Sequence, residues 1–269
     1  MPIKGINFDK CTNCNQCLRE CPGMVFEIDE KREQVFFNPS KICISCGHCI
    51  SVCPEDAIIY ENMKDEPLIF DGVRDPSTLI PYEKINQFIR AKRSIRQYKK
   101  QKISREVMEK VINSMRYAPT GANLRQMKCL IISDDEKIKE LSEIILNKLK
   151  LTIYGVYIDT VKEKKVRGID PIFYNAPHVI ILYSSTSLDH ENAYIAMTHG
   201  MFAAQSLGLG TCWIGFAYGV MSQDKEILKN LFGISGKVLA VITIGYPSVK
   251  YFRTPPRLPL KTKGLDELI

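Results

Sequence analysis

Two stretches, "CTNCNQCLRECP" from Cys11 and "CISCGHCISVCP" from Cys43, share the spacing C-x2-C-x2-C-x3-C-P. They start 32 residues apart and use eight of the ten cysteines. Thiols this dense, in two short loops, constrain the first sixty residues to wrap around whatever the sulfurs bind. In a reducing compartment such clusters are metal ligands more often than disulfides. Three cysteines at x2 spacing wrap a tight loop around one face of a cubic cluster, and the proline after the fourth turns the chain away. Zinc is the rival, because paired C-x2-C motifs build ribbons. A ribbon, however, has no use for a third cysteine at x2 or a fourth before proline. Each motif runs into a short apolar segment, "GMVFEID" or "EDAIIYE", so two copies of one cluster-binding unit are expected. Between them, "KREQVFFNPSK" reads as a turn and a short strand.

This doubled motif resembles that of the two-cluster bacterial ferredoxins. The resemblance implies two [4Fe–4S] clusters and a crossover of ligands. Cys11, Cys14, Cys17 and Cys53 would hold one cluster; Cys43, Cys46, Cys49 and Cys21 would hold the other. His48 then stays a solvated loop residue, since all four corners of its cluster are supplied.

With 269 residues, 45% of them hydrophobic and 25% charged, the chain has room for a small domain joined to a larger one. No run of about 18 apolar residues occurs, and "MPIKGINFDK" lacks the apolar core of a signal peptide. A cytoplasmic protein is expected, with no membrane partner. Residues 1–60 carry six Lys/Arg against eight Asp/Glu, so the formal charge of +7 comes from the remainder. Its basic residues are scattered, with no long basic helix, and nucleic acid is not an expected partner.

Residues 61–80 are rich in Pro, Asp and Glu without a period and read as a linker. Helical patterning starts at Pro81, a helix-initiating residue. A second helix has Ser104 as N-cap and stops before Pro119. "KCLII" at 128–132 reads as a strand, and Ser133 with Glu136 as a capping box for the helix that follows. "HVIILYSS" at 178–185 has the unbroken apolar run of a buried strand. A long apolar helix starts near Asp189 and stops at Gly208. A further helix closes at Gly233, and "KVLAVITIGYP" forms the last strand. Residues 81–269 are therefore expected to form a mixed α/β sandwich, and the whole chain an α+β protein. Cys129 reads as a small buried hydrophobe and His199 as a core histidine. His178 opens a strand with no evident partner.

No dinucleotide fingerprint is present: in "GLGTCWIG" the sixth position is Trp213, and the stretch follows a helix. The basic stretch "AKRSIRQY" gathers Lys92, Arg93, Ser94 and Arg96 at a helix end. Such a run is usually a solvated face, yet arginine forks match phosphate oxygens, and the set suits a mononucleotide phosphate. "APTGANLRQ" at 118–126 is a turn of small residues able to lie against a planar ring. "GLGTCWIGF" at 208–216 offers backbone N–H groups beside an aromatic. "RTPPRLP" brings Arg253 and Arg257 near the C-terminus.

In this order and spacing these elements, over residues 81–269, resemble the nitroreductase superfamily of FMN-dependent flavoproteins. The resemblance implies that Lys92, Arg93, Ser94 and Arg96 contact FMN phosphate and ring. It implies that Pro119, Thr120, Gly121 and Asn123 reach FMN from a partner subunit, and that Cys212, Trp213, Ile214 and Gly215 lie against the flavin. Arg257 matches a phosphate ligand, with Arg253 beside it. "NLRQMK" departs from the family's N-x-Q-P-W ending, which touches the substrate side. Trp213 could instead be plain core packing. The helix at 190–207 is either domain core or subunit interface, and the resemblance favours an intertwined homodimer.

The expected protein is thus a two-cluster ferredoxin domain (1–60), a linker (61–80) and a nitroreductase-like FMN domain (81–269). An external donor, reduced ferredoxin or NAD(P)H, would feed the clusters. A small acceptor such as a nitroaromatic or a quinone would take electrons from the flavin. No side chain is singled out as an essential acid or base, because the flavin carries the chemistry. The other readings are a redox sensor or electron carrier without turnover, and a reductive dehalogenase of the same flavoprotein family.

Overall fold

A computed structural model describes residues 2–69, 75–149, 158–186 and 189–265. The central residues of the expected linker, 70–74, lie outside this set. By its contacts the chain divides into two compact units: residues 1–79 with 119–125, and residues 80–118 with 126–269.

The first unit repeats itself. Helix α1 (Gln16–Glu20) and helix α2 (His48–Val52) are both five residues long and start 32 residues apart. Left-handed backbone recurs at the same spacing: Asn13 and Ser45 (φ 54° and 58°), Asn15 and Gly47 (58° and 78°), Met24 and Asp56 (50° and 48°). Tight loops that must turn a sulfur inward force this conformation, and Asn, Asp and Gly tolerate it best. His48 is exposed, as expected, but it is the first residue of α2 rather than part of a loop. Strand β2 (Phe26–Asp29) pairs antiparallel with β3 (Gln34–Phe37), and β1 (Ile3–Ile6) with β4 (Ile58–Tyr60). Their inward residues, Ile3, Ile6, Val25, Phe26, Val35, Ala57 and Ile58, form one core together with Cys17 and Cys49.

The second unit is built on a sheet ordered β5-β6-β8-β7, with every neighbour antiparallel. Its strands are β5 (Lys128–Ile132), β6 (His178–Ser184), β7 (Gly210–Trp213) and β8 (Lys237–Gly245). Both faces are covered, which explains the unbroken apolar run of β6. Val179 and Ile181 enter one core with Leu141 and Ile145 of α5 (Asp135–Leu149), Met221 of α8 (Gly215–Met221) and Leu228 of α9 (Glu226–Phe232). Ile180 and Leu182 enter the other, with Val111 and Met115 of α4 (Arg105–Met115) and Met197 of α7 (His190–Ser206). A bulge where β6 meets β8 puts Leu239 and Ala240 in the same core. Cys129 packs half-buried against that core, and burial pushes its thiol up to about 12. Helix α3 (Tyr82–Ala91) leads into the basic stretch, with Pro81 at its N-cap; α6 (Ile158–Val166) precedes β6.

Several local expectations need correction. Ser104 caps α4 through its bond to Val107 N–H, but Ser133 does not cap α5. The Asp134 carboxylate takes that place, accepting from Lys137 N–H at 3.0 Å. Ser133 turns instead to His178, which has partners after all: Ile103 N–H donates to its Nε2 at 2.9 Å. Nε2 is therefore the acceptor, and Nδ1–H donates to Ser133 Oγ at 2.7 Å. His199 is only half-buried and is no core residue. "GTCW" is a strand and "GFAYGVM" a helix, where only a ring-facing segment was expected.

Candidate functional site

Eight cysteine side chains surround two separate spaces in the first unit. One cavity is lined by Cys11, Cys14, Cys17 and Cys53. The other is lined by Cys21, Cys43, Cys46 and Cys49. In each case three cysteines come from one motif and the fourth from the other. The proline after each fourth cysteine, Pro54 or Pro22, lines the same wall. Among the described residues no three His, Cys, Asp or Glu side chains converge on a single-ion site; the sulfurs face a space instead. Backbone N–H groups already point at three of them: Val25 to Cys21 (3.5 Å), Ser45 to Cys43 (3.4 Å) and Ala57 to Cys53 (3.2 Å). Such bonds stabilise negative charge on the sulfurs of a bound cluster. Burial pushes the Cys17 thiol up to about 11 and that of Cys49 up to about 12, so loading with metal must displace protons.

In the second unit, the end of α3 lies against the edge strand β7. Ser94 bridges Thr211 in parallel fashion, and Ile95 N–H donates to Thr211 C=O at 3.0 Å. This pairing sets the basic stretch beside "GTCW". Ser94, Arg96 and Lys92 stand close enough to the Cys212 sulfur to favour its thiolate. Burial raises the Cys212 thiol, and the surrounding cations only partly offset that. Burial also holds the Lys92 amine below its ordinary value. Its Nζ donates to Arg93 C=O at 2.9 Å. Among the described residues neither Lys92, Arg93 nor Arg96 is paired with a carboxylate. Thr211 is 1% exposed, and among the described residues its hydroxyl has no hydrogen-bond partner. Cations without counter-ions beside an orphaned hydroxyl fit a bound anion that would supply the missing acceptors.

Cys212 and Ile214 are buried, whereas Trp213 is half-buried. The indole meets Tyr194 of α7 edge-on at 5.4 Å and Tyr218 of α8 at 6.0 Å, so it is more than core filling. Tyr194 O–H donates to Tyr218 Oη at 3.1 Å, and His190 Nδ1 lies 3.3 Å from Tyr194 Oη. Burial pushes the Tyr218 phenol up to about 12. This aromatic group was missed in the sequence, although His190 and Tyr194 stand one helical turn apart. Tyr98 and Tyr174 were missed too. Tyr98 O–H donates to Ile95 C=O at 2.7 Å and meets Thr243 Oγ1 at 2.8 Å. Arg96 lies over the Tyr174 ring at 5.7 Å.

The remaining expected residues lie elsewhere. The turn holding Pro119, Thr120, Gly121 and Asn123 belongs to the first unit. Arg253 and Arg257 are exposed in an irregular segment, and among the described residues no hydrogen bond or ion pair joins them to the Lys92–Arg96 stretch.

Fold and site together define a protein with a twice-repeated four-cysteine unit and a helix-covered antiparallel sheet with a basic stretch laid on one edge strand. The comparisons are specific about both parts. Residues 89–246 match the nitroreductase family, and the chain belongs to it. Residues 10–58 match a 4Fe-4S dicluster domain, which indicates two iron–sulfur clusters. Among curated proteins the chain is 28% identical to a Cr(VI) reductase of Pseudomonas sp. (strain G-1), over 65% of this chain and 71% of that one. It is 27% identical to an FMN reductase [NAD(P)H] of Bacillus subtilis, over 65% and 70% respectively. A solved nitroreductase with bound FMN from Bacteroides fragilis shares the fold, with TM-score 0.54 and 22% identity over 67% of this chain and 97% of that one.

Proposed function

We propose that the protein is an FMN-dependent oxidoreductase in which two [4Fe–4S] clusters pass electrons to FMN for delivery to a small acceptor such as a nitroaromatic or a quinone. The observation that carries this reading is the cation group Lys92, Arg93 and Arg96, free of carboxylates beside Thr211, on a chain that also holds two four-cysteine cavities. The names of the FMN reductase and of the FMN-bound solved structure support the cofactor. FMN bound there supplies a two-electron reductant that also takes electrons singly.

The protein's own part is to bind and orient. Lys92, Arg93, Ser94 and Arg96 would hold the phosphate, and the backbone from Cys212 to Gly215 would contact the ring. Trp213, Tyr194 and Tyr218 give an aromatic wall for a planar acceptor, and the raised Tyr218 phenol stays protonated at neutral pH. The eight cysteines hold the clusters in the sets that line each cavity, and an external donor, reduced ferredoxin or NAD(P)H, feeds them.

A homodimer belongs to the same proposal. Ile195 on α7 is 39% exposed, and beyond β8 the side chains of Phe252, Leu258 and Leu260 are about nine-tenths exposed. A second copy is the simplest cover for so much apolar surface. Pro119, Thr120 and Gly121, with Arg253 and Arg257, would then complete the FMN site across that interface, whereas the Asn123 amide is engaged by Ile44, Ser45 and Arg125.

Anaerobic purification followed by metal and flavin analysis tests this reading. About eight irons per chain and bound FMN are expected, with FMN content several-fold lower in Arg93→Ala. Zinc in place of iron, or unchanged flavin in that variant, would overturn the corresponding half.

A further inference from the structure

The two cysteine loops of the first unit are related by the 32-residue repeat, but they are held in different ways. In the first loop the restraint comes from within. Asn13, between Cys11 and Cys14, donates from Nδ2 to Glu33 C=O at 2.6 Å and accepts from Val35 N–H at 3.0 Å. This ties the loop to the β2–β3 hairpin. The equivalent position in the second loop is Ser45, whose shorter side chain makes no such bond. Its restraint comes from 78 residues further along the chain. Asn123 Nδ2 donates to Ile44 C=O at 2.9 Å and to Ser45 C=O at 2.8 Å. Both amide hydrogens are thereby spent on the loop between Cys43 and Cys46.

Asn123 is itself locked. Arg125 Nε donates to its Oδ1 at 2.7 Å, which fixes which end of the amide faces the loop. Ala122, Asn123 and Arg125 all adopt left-handed backbone (φ 48°, 53° and 49°), a cost that non-glycine residues bear only where the surroundings enforce it. The Ile44–Ser45 peptide is therefore gripped at its carbonyl, Ile44 C=O, while its N–H, that of Ser45, points to Cys43 Sγ at 3.4 Å. With Val25 N–H at Cys21, the second cysteine set receives two N–H···S bonds among the described residues, and the first receives one, from Ala57 to Cys53.

We infer that Asn123 is a positioning residue for the second cysteine set alone. By holding the Ser45 amide on Cys43 it raises that cluster's reduction potential above that of its twin. N–H···S bonds favour the reduced, more negative state of a cluster, so a lost bond lowers the potential. The relay then has a direction. Clusters bound there would take one electron from the external donor at the Cys11/Cys14/Cys17/Cys53 set, where Cys14 is exposed, and the Cys21/Cys43/Cys46/Cys49 set would be reduced as the first is reoxidised. This rests on the cluster assignment proposed above.

The test is a redox titration followed by electron paramagnetic resonance on the intact protein, comparing wild type, Asn123→Ala, Asn123→Asp and Asn13→Ala. Wild type must first show about eight irons; fewer would count against the cluster assignment itself and not against Asn123. The inference expects one of two midpoint potentials to fall in both Asn123 variants while the other stays. Asn13→Ala should move the other signal. Should Asn123→Ala lose one cluster outright, the surviving signal should be the one that Asn13→Ala shifts. Unmoved potentials in both Asn123 variants, or the same signal responding to Asn13 and Asn123, would overturn it.

Discussion

The side chain of Ile95 occupies the space that a β-carbon on Gly210 would need. Such a carbon would stand 2.5 Å from Ile95 Cγ1, 2.7 Å from its Cβ and 2.8 Å from its Cγ2. Ile95 is branched at Cβ and buried, so it has no rotamer into which to retreat. Gly210 is thus what lets the stretch from Lys92 to Arg96 lie down on β7.

Replacing Gly210 with alanine is expected to push that stretch away from the strand. Overpacking of this kind costs about 1–3 kcal/mol. Chemical denaturation should show the loss, and FMN content should fall with it, because the Ser94–Thr211 pairing is displaced. Gly219, where an added β-carbon meets nothing within 4 Å, serves as the control: Gly219→Ala should leave flavin content as it is.

Tyr98 supports the same stretch from the other side. Its hydroxyl ties Ile95 C=O to Thr243 Oγ1 at a buried position. Tyr98→Phe removes that hydroxyl and leaves a buried carbonyl short of a partner. A loss of about 1–3 kcal/mol is expected, together with weaker FMN retention measured by dialysis. Stability lost without any change in FMN retention would restrict Tyr98 to a packing role.

His178 sets part of the acid sensitivity. Burial, with Lys102 adding to it, lowers its pKa from the ordinary 6.5 to about 4. Above about pH 6.5 neither the folded nor the unfolded chain protonates it, and the full contribution to stability is present. Between about 6.5 and 4 only the unfolded chain takes the proton, so stability falls as pH falls. The loss is of order 3 kcal/mol once pH passes below the folded value. In His178→Gln, which does not titrate, the stability curve over that window should be flatter than in wild type. Parallel curves would contradict the assignment.

What could be read in the sequence was local or periodic. The cysteine spacing indicated two cluster loops, the unbroken run of β6 indicated a strand covered on both faces, and Ser104 indicated the start of α4. What could not be read depended on competition or on distance. Ser133 and Asp134 are adjacent acceptors at one helix start, and Asp134 takes the cap because His178, 45 residues away, engages Ser133. "GTCW" is only four residues long and directly follows a helix, so its strand character emerges only from pairing with β8. The basic stretch was legible as a cluster of cations, but the orphaned Thr211 hydroxyl and the aromatic group around Trp213 required the fold. No spacing rule links Asn123 to Ile44 and Ser45.

The central claim is that electrons reach the flavin through the cysteine-bound clusters. Anaerobic stopped-flow mixing of the intact protein with reduced ferredoxin, followed at flavin and cluster wavelengths, tests it most directly. A double variant with Cys14→Ser and Cys46→Ser, one ligand removed from each set, is the comparison. The account predicts that flavin reduction in wild type follows cluster reduction. In the double variant, with its FMN still bound, it should slow at least about tenfold, a barrier change of about 1.4 kcal/mol. Flavin reduced equally fast in both proteins would contradict the relay.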